Sequence, residues 1–201
     1  GIIENFDELK SELQAQGEQF HSDTDSEVAA VMLGRAFQDT QDLTLAMRAV
    51  VARLEGAFTL LGVHQDQPDV VVGARRNSPL VVGLGQGENF LGSDVAAFVA
   101  YTDKAMALGQ DQIVTITPDS VTITTFEGDP ATAAQFDIDW DASAADKGGW
   151  SSFMAKEISE EPEAVANTLR GRISPEGTVT LPDLDSLLDQ GGEITRIIFI
   201  A

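Results

Sequence analysis

Up to Leu54 the apolar residues recur at helical spacing; beyond it they gather in short β-rich runs, so the chain begins with helices and continues with strands. Phe6, Leu9 and Leu13 lie three and four residues apart before Gly17 ends the pattern, which predicts a short first helix. A second helix is expected near Ser26, where Thr24 and Glu27 have the spacing of a capping box and Val28, Val31, Met32 and Ala36 form the apolar face. In the third, Leu43, Ala46, Met47, Val50, Val51 and Leu54 make one buried stripe, with Gly56 following as a stop. Strand runs then cover Phe58 to Val63, Val70 to Ala74, Leu80 to Leu84, Ala105 to Leu108, Ile113 to Thr117 and Val121 to Phe126, separated by Gly, Pro, Asp and Asn. Unbroken apolar stretches such as Val70, Val71 and Val72 imply strands covered on both faces, hence two stacked sheets between helix layers.

The pattern changes again near Asp141. Asp137, Asp139, Asp141 and Asp146 crowd a stretch that lacks an apolar period and ends in Gly148 and Gly149, which marks a boundary. Beyond it the spacing predicts a helix over about 152–169 with Pro162 as a break or restart, a short helix over Leu181 to Leu188 and a buried strand over Ile194 to Ile200. Neither repeats nor low-complexity tracts occur.

Composition narrows the function classes. Twelve basic against 33 acidic residues give a formal net charge of −21, which repels nucleic-acid backbones and anionic membrane surfaces. No apolar run approaches the roughly 20 residues needed to span a bilayer, and the N-terminus does not read as a secretory signal. With no cysteine, disulfides, thiolate chemistry and cysteine-ligated metals are excluded for these 201 residues.

Several residues carry candidate chemistry. Gly83, Gly85 and Gly87 superficially suggest a phosphate cradle, yet they run into the strand-like Glu88 to Leu91 instead of a helix, so a hairpin turn is expected. His21 and His64 have no serine or carboxylate in a catalytic order and are read as surface or capping histidines. Asp23, Asp25 and Glu27 lack the glycine and distant glutamate of a calcium loop, so no metal is expected. Lys156 and Glu157 are read as a solvated helix face, and Asp25 on local grounds as a helix cap.

The block running from Ser78 through Gly83, Gly85, Gly87, Phe90 and Gly92 to Asp94, together with Gly1 to Asn5, Ser22 to Val28 and Leu54 to Phe58, resembles the glutamine-dependent amidotransferases with an N-terminal nucleophile. Lys147 to Trp150, Phe153 to Ile158, Glu161-Pro162 and Leu169 to Ile173 narrow the resemblance to the glucosamine-6-phosphate synthase family, whose members aminate and isomerise fructose-6-phosphate. The resemblance implies an α+β fold, a four-layer α/β/β/α sandwich truncated at its N-terminus, followed by a helical linker and the first strand of an α/β sugar isomerase domain. Residues 1–141 are then the glutaminase domain, and 142–201 the linker and isomerase entry. It also implies that Asp25 holds the α-ammonium of glutamine and that Gly1 occupies the position whose backbone N–H lines the oxyanion hole. Here Gly1 is the chain start and its nitrogen an amine, so the hole is not expected to assemble as the family builds it, and a bare chain end without a role is the alternative.

On this reading the cysteine nucleophile lies upstream, the 201 residues alone are inactive, and unpaired strands leave them aggregation-prone or loosely packed. The partners are glutamine and fructose-6-phosphate, with no cofactor, no nucleic acid and no membrane, in a cytoplasmic enzyme that forms a homodimer at full length. The alternative is a non-catalytic binding or assembly module that retains the glutaminase fold. Departures are local: Asn77 where a glycine is usual, and Ser151-Ser152 where larger polar side chains are usual.

Overall fold

Three helices precede the first long strand, two of them started by a side-chain cap. Helix α1 (Phe6–Ala15) buries Leu9 and Leu13, and Gly17, at φ 97°, turns the chain away. Helix α2 (Asp25–Thr40) begins where the Thr24 hydroxyl accepts the Glu27 N–H, and it buries Val28, Ala29, Met32 and Phe37. Helix α3 (Leu43–Val51) is capped by the Asp42 carboxylate, which accepts the Leu45 N–H at 2.9 Å. Its buried stripe is Leu43, Ala46, Met47, Val50 and Val51, with Leu54 buried in the turn beyond. Gly56 is not a helix stop, since α3 ends at Val51 and Gly56 opens a strand at φ 101°, where a Cβ would collide with the Ile2 carbonyl oxygen. The close approach of two strands, and not helix termination, requires the glycine. This computed structural model describes residues 1–138, 148–174, 176–180, 196 and 198, and the chain divides into units 1–145 and 146–201.

In the first unit the strands are β1 (Ile2–Ile3), β2 (Gly56–His64), β3 (Gln67–Arg76), β4 (Val81–Leu84), β5 (Asn89–Gly92), β6 (Lys104–Ala107), β7 (Gln112–Ile116), β8 (Val121–Thr125) and β9 (Ala134–Asp137). They form two antiparallel sheets, ordered β1-β2-β3-β7-β8 and β5-β4-β6-β9. The glycine segment is the β4–β5 hairpin expected for it: Leu84 pairs with Asn89, and the Gly85 N–H donates to the Glu88 carbonyl.

Alternation along β3 and β7 feeds two cores. Val72, Ala74 and Ile113 join the helix-side cluster with Val28, Met47, Val50 and Phe58, whereas Val71, Val114 and Ile116 join a cluster with Leu80, Val82 and Ile123 between the sheets. Each fully buried aliphatic side chain contributes about 1.5–3 kcal/mol relative to exposure, so the five-stranded sheet is held from both faces. On the other face of the second sheet, Phe98 is 1% exposed and lies over Gly83. Phe98 also stacks on Phe90 at 6.1 Å.

Charged and polar side chains pin the far end of the long strands. Arg76 donates to Asp111 at 2.8 Å and to the Leu54 carbonyl at 3.0 Å, with its guanidinium 5.0 Å from the centre of the Phe126 ring. Beside it Asn77 and Asp111 occupy the left-handed region at φ 54° and 52°. Gln110 joins the turns, accepting from the Asn77 N–H and from Arg75 and donating to the Asn77 side chain.

In the second unit, α4 (Phe153–Leu169) starts where the Ser152 hydroxyl accepts the Ala155 N–H and runs through Pro162 without the expected break. The proline removes one backbone donor, but on a helix with no buried residue the freed carbonyl is open to water, and the turns on either side keep their own bonds. Lys156 pairs with Glu160 at 4.0 Å. The stretch holding Asp139, Asp141 and Asp146, the helix expected over Leu181 to Leu188 and most of the strand expected over Ile194 to Ile200 lie outside the described residues. Among the described residues no helix is long and apolar enough to cross a membrane.

Two stability predictions follow from the packing. Leu54→Ala should cost about 2–5 kcal/mol, and Arg53→Ala, whose partner Glu12 is as exposed as itself, no more than about 1 kcal/mol, both read from urea midpoints at unchanged slope. Gly83→Ala places a Cβ 2.6 Å from the Phe98 ring, so it should destabilise by about 1–3 kcal/mol and relieve the loss when combined with Phe98→Leu.

Candidate functional site

Strand β1 is two residues long and forms one edge of the five-stranded sheet, with Ile2 opposite Ala57 and Ile3 opposite Gly56. Its next residues are clamped to the α3–β2 turn. The Glu4 N–H donates to the Glu55 carbonyl at 2.9 Å, and the Asn5 side chain both donates to the Arg53 carbonyl and accepts the Glu55 N–H. Gly1 lies so close to β2 that a Cβ there would collide with the Ala57 carbonyl oxygen. Only glycine permits this approach.

On the outer side of β1 stands the N-terminus of α2. Asp25, its first residue, is half-buried and accepts the Ile3 N–H through Oδ2 at 2.9 Å, while Oδ1 accepts the Ser26 hydroxyl at 3.2 Å. The positive end of the helix dipole favours a carboxylate at this position. Asp25 and Gly1, 24 residues apart in the sequence, are thus brought to one short edge strand, Gly1 directly before it and Asp25 on its last residue.

The loop before Asp25 is held by an inverted cap. Glu27 does not reach back to the Thr24 N–H as a simple capping box would; its carboxylate accepts the His21 N–H at 2.8 Å, the Ser22 N–H at 2.7 Å and the Ser22 hydroxyl at 2.6 Å. Those bonds, the Ser22 hydroxyl first, hold the Glu27 carboxyl below its ordinary pKa of 4.5. From α1, Lys10 donates to the Ser22 carbonyl at 2.9 Å and to Asp23 at 3.3 Å. Sequence spacing found the helix start and missed Lys10 and Asn5, because both act across long separations. For Asn5 the only local signal was its place directly before a helix.

A cleft of about 500 Å³ opens beside the site between α2 and β2, lined among others by Ser26, Ala29, Leu33, Thr59, Leu61 and His64. The outer side of β2 is paired by β1 only at Gly56 and Ala57 among the described residues. His64 is stacked on Phe37 at 3.7 Å with Nδ1 accepting the Asp66 N–H, and His21 only lends its backbone to Glu27, so neither imidazole is brought to Asp25. Among the described residues no group of three or more His, Asp or Glu side chains could hold a metal ion. The arrangement offers one fixed carboxylate beside a glycine backbone and an apolar cleft, which suits the capture of a small cationic group and the seating of the chain attached to it.

Comparison with known proteins gives a consistent result. Residues 1–100 match the family described as glutamine amidotransferase domain. A glutamine–fructose-6-phosphate aminotransferase (isomerizing) of Leifsonia xyli subsp. xyli is 65% identical over 190 residues, 94% of this chain and 31% of that protein. The like-named protein of Streptomyces coelicolor is 53% identical over the whole chain and 33% of its own length. The chain thus spans about a third of the length of the curated relatives it matches. Among solved structures, the glutamine phosphoribosylpyrophosphate amidotransferase of B. subtilis, complexed with ADP and GMP, superposes with a TM-score of 0.52 at 22% identity over 61% of this chain and 27% of that one. That likeness is one of fold.

The pH dependence of the Asp25 loop follows from Glu27. Because its folded pKa is depressed, the stability it contributes is present above the unfolded value and lost as pH falls through the folded one. Hydrogen-exchange protection of the His21 and Ser22 amides should therefore weaken only below about pH 4.5, and Glu27→Gln should remove that pH step.

Proposed function

Through residues 1–100 the chain belongs to the glutamine amidotransferase domain family, and from that premise we propose that it forms the glutamine-binding part of an enzyme that moves the amide nitrogen of glutamine to fructose-6-phosphate and yields glucosamine-6-phosphate. The whole-chain likeness to the aminotransferases supports this choice over other amidotransferases. The observation that carries it is the half-buried Asp25 carboxylate fixed at the head of α2, next to the strand that follows Gly1.

Asp25 pairs with the α-ammonium of glutamine. A carboxylate held in place by backbone and hydroxyl donors loses little freedom on binding, and its charge is worth more where water is thinned out. Gly1 stands at the position whose backbone amide N–H would face the oxygen on which negative charge develops during amide hydrolysis, a role that needs no Cβ between it and the substrate; as an amine in these 201 residues, its nitrogen does not build that hole. The 201 residues hold no cysteine, so their contribution is the binding and orientation of glutamine; we expect no ammonia release from them alone.

The same reading assigns residues 1–141 to the glutaminase domain and 142–201 to the linker and the entry of a sugar isomerase domain. It supplies a helical layer on the Phe98 side of the second sheet, completing an α/β/β/α sandwich. The enzyme is cytoplasmic and pairs as a homodimer.

Titration calorimetry with L-glutamine and L-glutamate tests the assignment. Asp25→Asn should weaken both ligands about 10- to 100-fold, the loss of about 1.5–3 kcal/mol for a hydrogen bond to a charged group. Glu4→Gln, which also changes one charge, should leave affinity unchanged. Equal affinities for wild type and Asp25→Asn would overturn the ammonium-binding role.

A further inference from the structure

Asp25 does more in this fold than present a charge. Its Oδ2 accepts the N–H of Ile3 at 2.9 Å, a residue 2% exposed and two positions from Gly1. In an antiparallel ladder alternate residues turn their N–H groups away from the neighbouring strand. Among the described residues no further strand takes up the Ile3 donor, and the carboxylate stands where an additional strand's carbonyl would be.

The rest of β1's hold is the burial of Ile3 in the helix-side core and a few bonds to its neighbours. Two residue pairs join it to β2, and the Asn5 clamp acts only on its far end. Gly1 meanwhile has to sit against the Ala57 carbonyl at a separation that admits no side chain. A shift of β1 away from β2 would therefore move Gly1 directly.

We propose that Asp25 is also the positioning residue for β1: through the Ile3 N–H it fixes the register and depth of the strand, and with them the place of the Gly1 backbone. The inference rests on the glutamine-binding reading for its functional meaning and on the Asp25–Ile3 bond for its mechanics. The two roles use different properties of one side chain. Ammonium pairing needs the negative charge; strand positioning needs only an acceptor oxygen, which an asparagine also has. Glu27 and Lys10 hold the preceding loop, so the acceptor is presented at a fixed place.

Asp25→Asn and Asp25→Ala separate these roles in the full chain. Ile3 amide exchange and its 1H–15N shift report the strand, and L-glutamate titration reports the charge, with the amides of Val72 and Ala74 in the central strand as internal controls. Asp25→Asn should keep Ile3 protected within about threefold of wild type while affinity falls. Asp25→Ala should speed Ile3 exchange at least 100-fold, about 2.7 kcal/mol, with Val72 and Ala74 unchanged. Wild-type protection of Ile3 in the alanine variant, or equal loss in both variants, would overturn the positioning role. Unchanged glutamate affinity in Asp25→Asn with Ile3 exposed only in Asp25→Ala would remove the ammonium role and leave the positioning role standing.

Discussion

A sheet buried on both faces governs this fold. β3 sends Val72 and Ala74 toward the helices and Val71 toward the second sheet, and β7 divides its residues likewise. A one-residue slip would exchange the two sets and empty both cores at once. The helices, the second sheet and the turns at Arg76 and Asn77 are therefore all referred to the register of β2, β3 and β7. The Asp25 end inherits that fixity, because β1 attaches to β2 at Gly56 and Ala57, directly before the β2 residues that pack on the helices.

Much of this was legible in the sequence where local chemistry decides the outcome. The spacing of Leu43, Ala46, Met47 and Val50 gave α3, Thr24 gave the head of α2, and the glycines after Val82 gave the β4–β5 hairpin. Elements defined by partners were not legible. Two residues, Ile2 and Ile3, cannot display a period, and Ala134 to Asp137 are all exposed and carry no alternation; both are strands only because β2 and β6 lie beside them. Gly56 was misassigned for the same reason, since what demands a glycine there is the Ile2 carbonyl, more than 50 residues earlier. Pro162 misled in the opposite sense, because an exposed helix tolerates a lost donor that a buried one would not.

The candidate site divides along the same line. Asp25 stood out by family likeness and by its place at a helix start, while the physical reason for its orientation, the Ile3 N–H, lies 22 positions away. Glu27 was recognised as part of a cap, but its three donors come from the loop before the helix and not from the capping residue. Lys10 and Asn5 complete the support from α1 and its leading turn. Local rules thus located the acidic head of α2; only the tertiary contacts say which of its carboxylates meets β1 and which braces the loop.

The left-handed turn at Asn77 has a consequence for how this sequence can drift. At φ 54° the position admits glycine for its lack of a Cβ and asparagine or aspartate for their short polar side chains, and it resists every β-branched residue. Asn77 is also held by Gln110 through both its backbone and its side chain. A lineage that carries glycine here keeps the turn and the backbone half of that link and loses only the bond from the Gln110 amide, so position 77 can drift between asparagine and glycine while Gln110 stays tied to the backbone N–H at 77 and to Arg75.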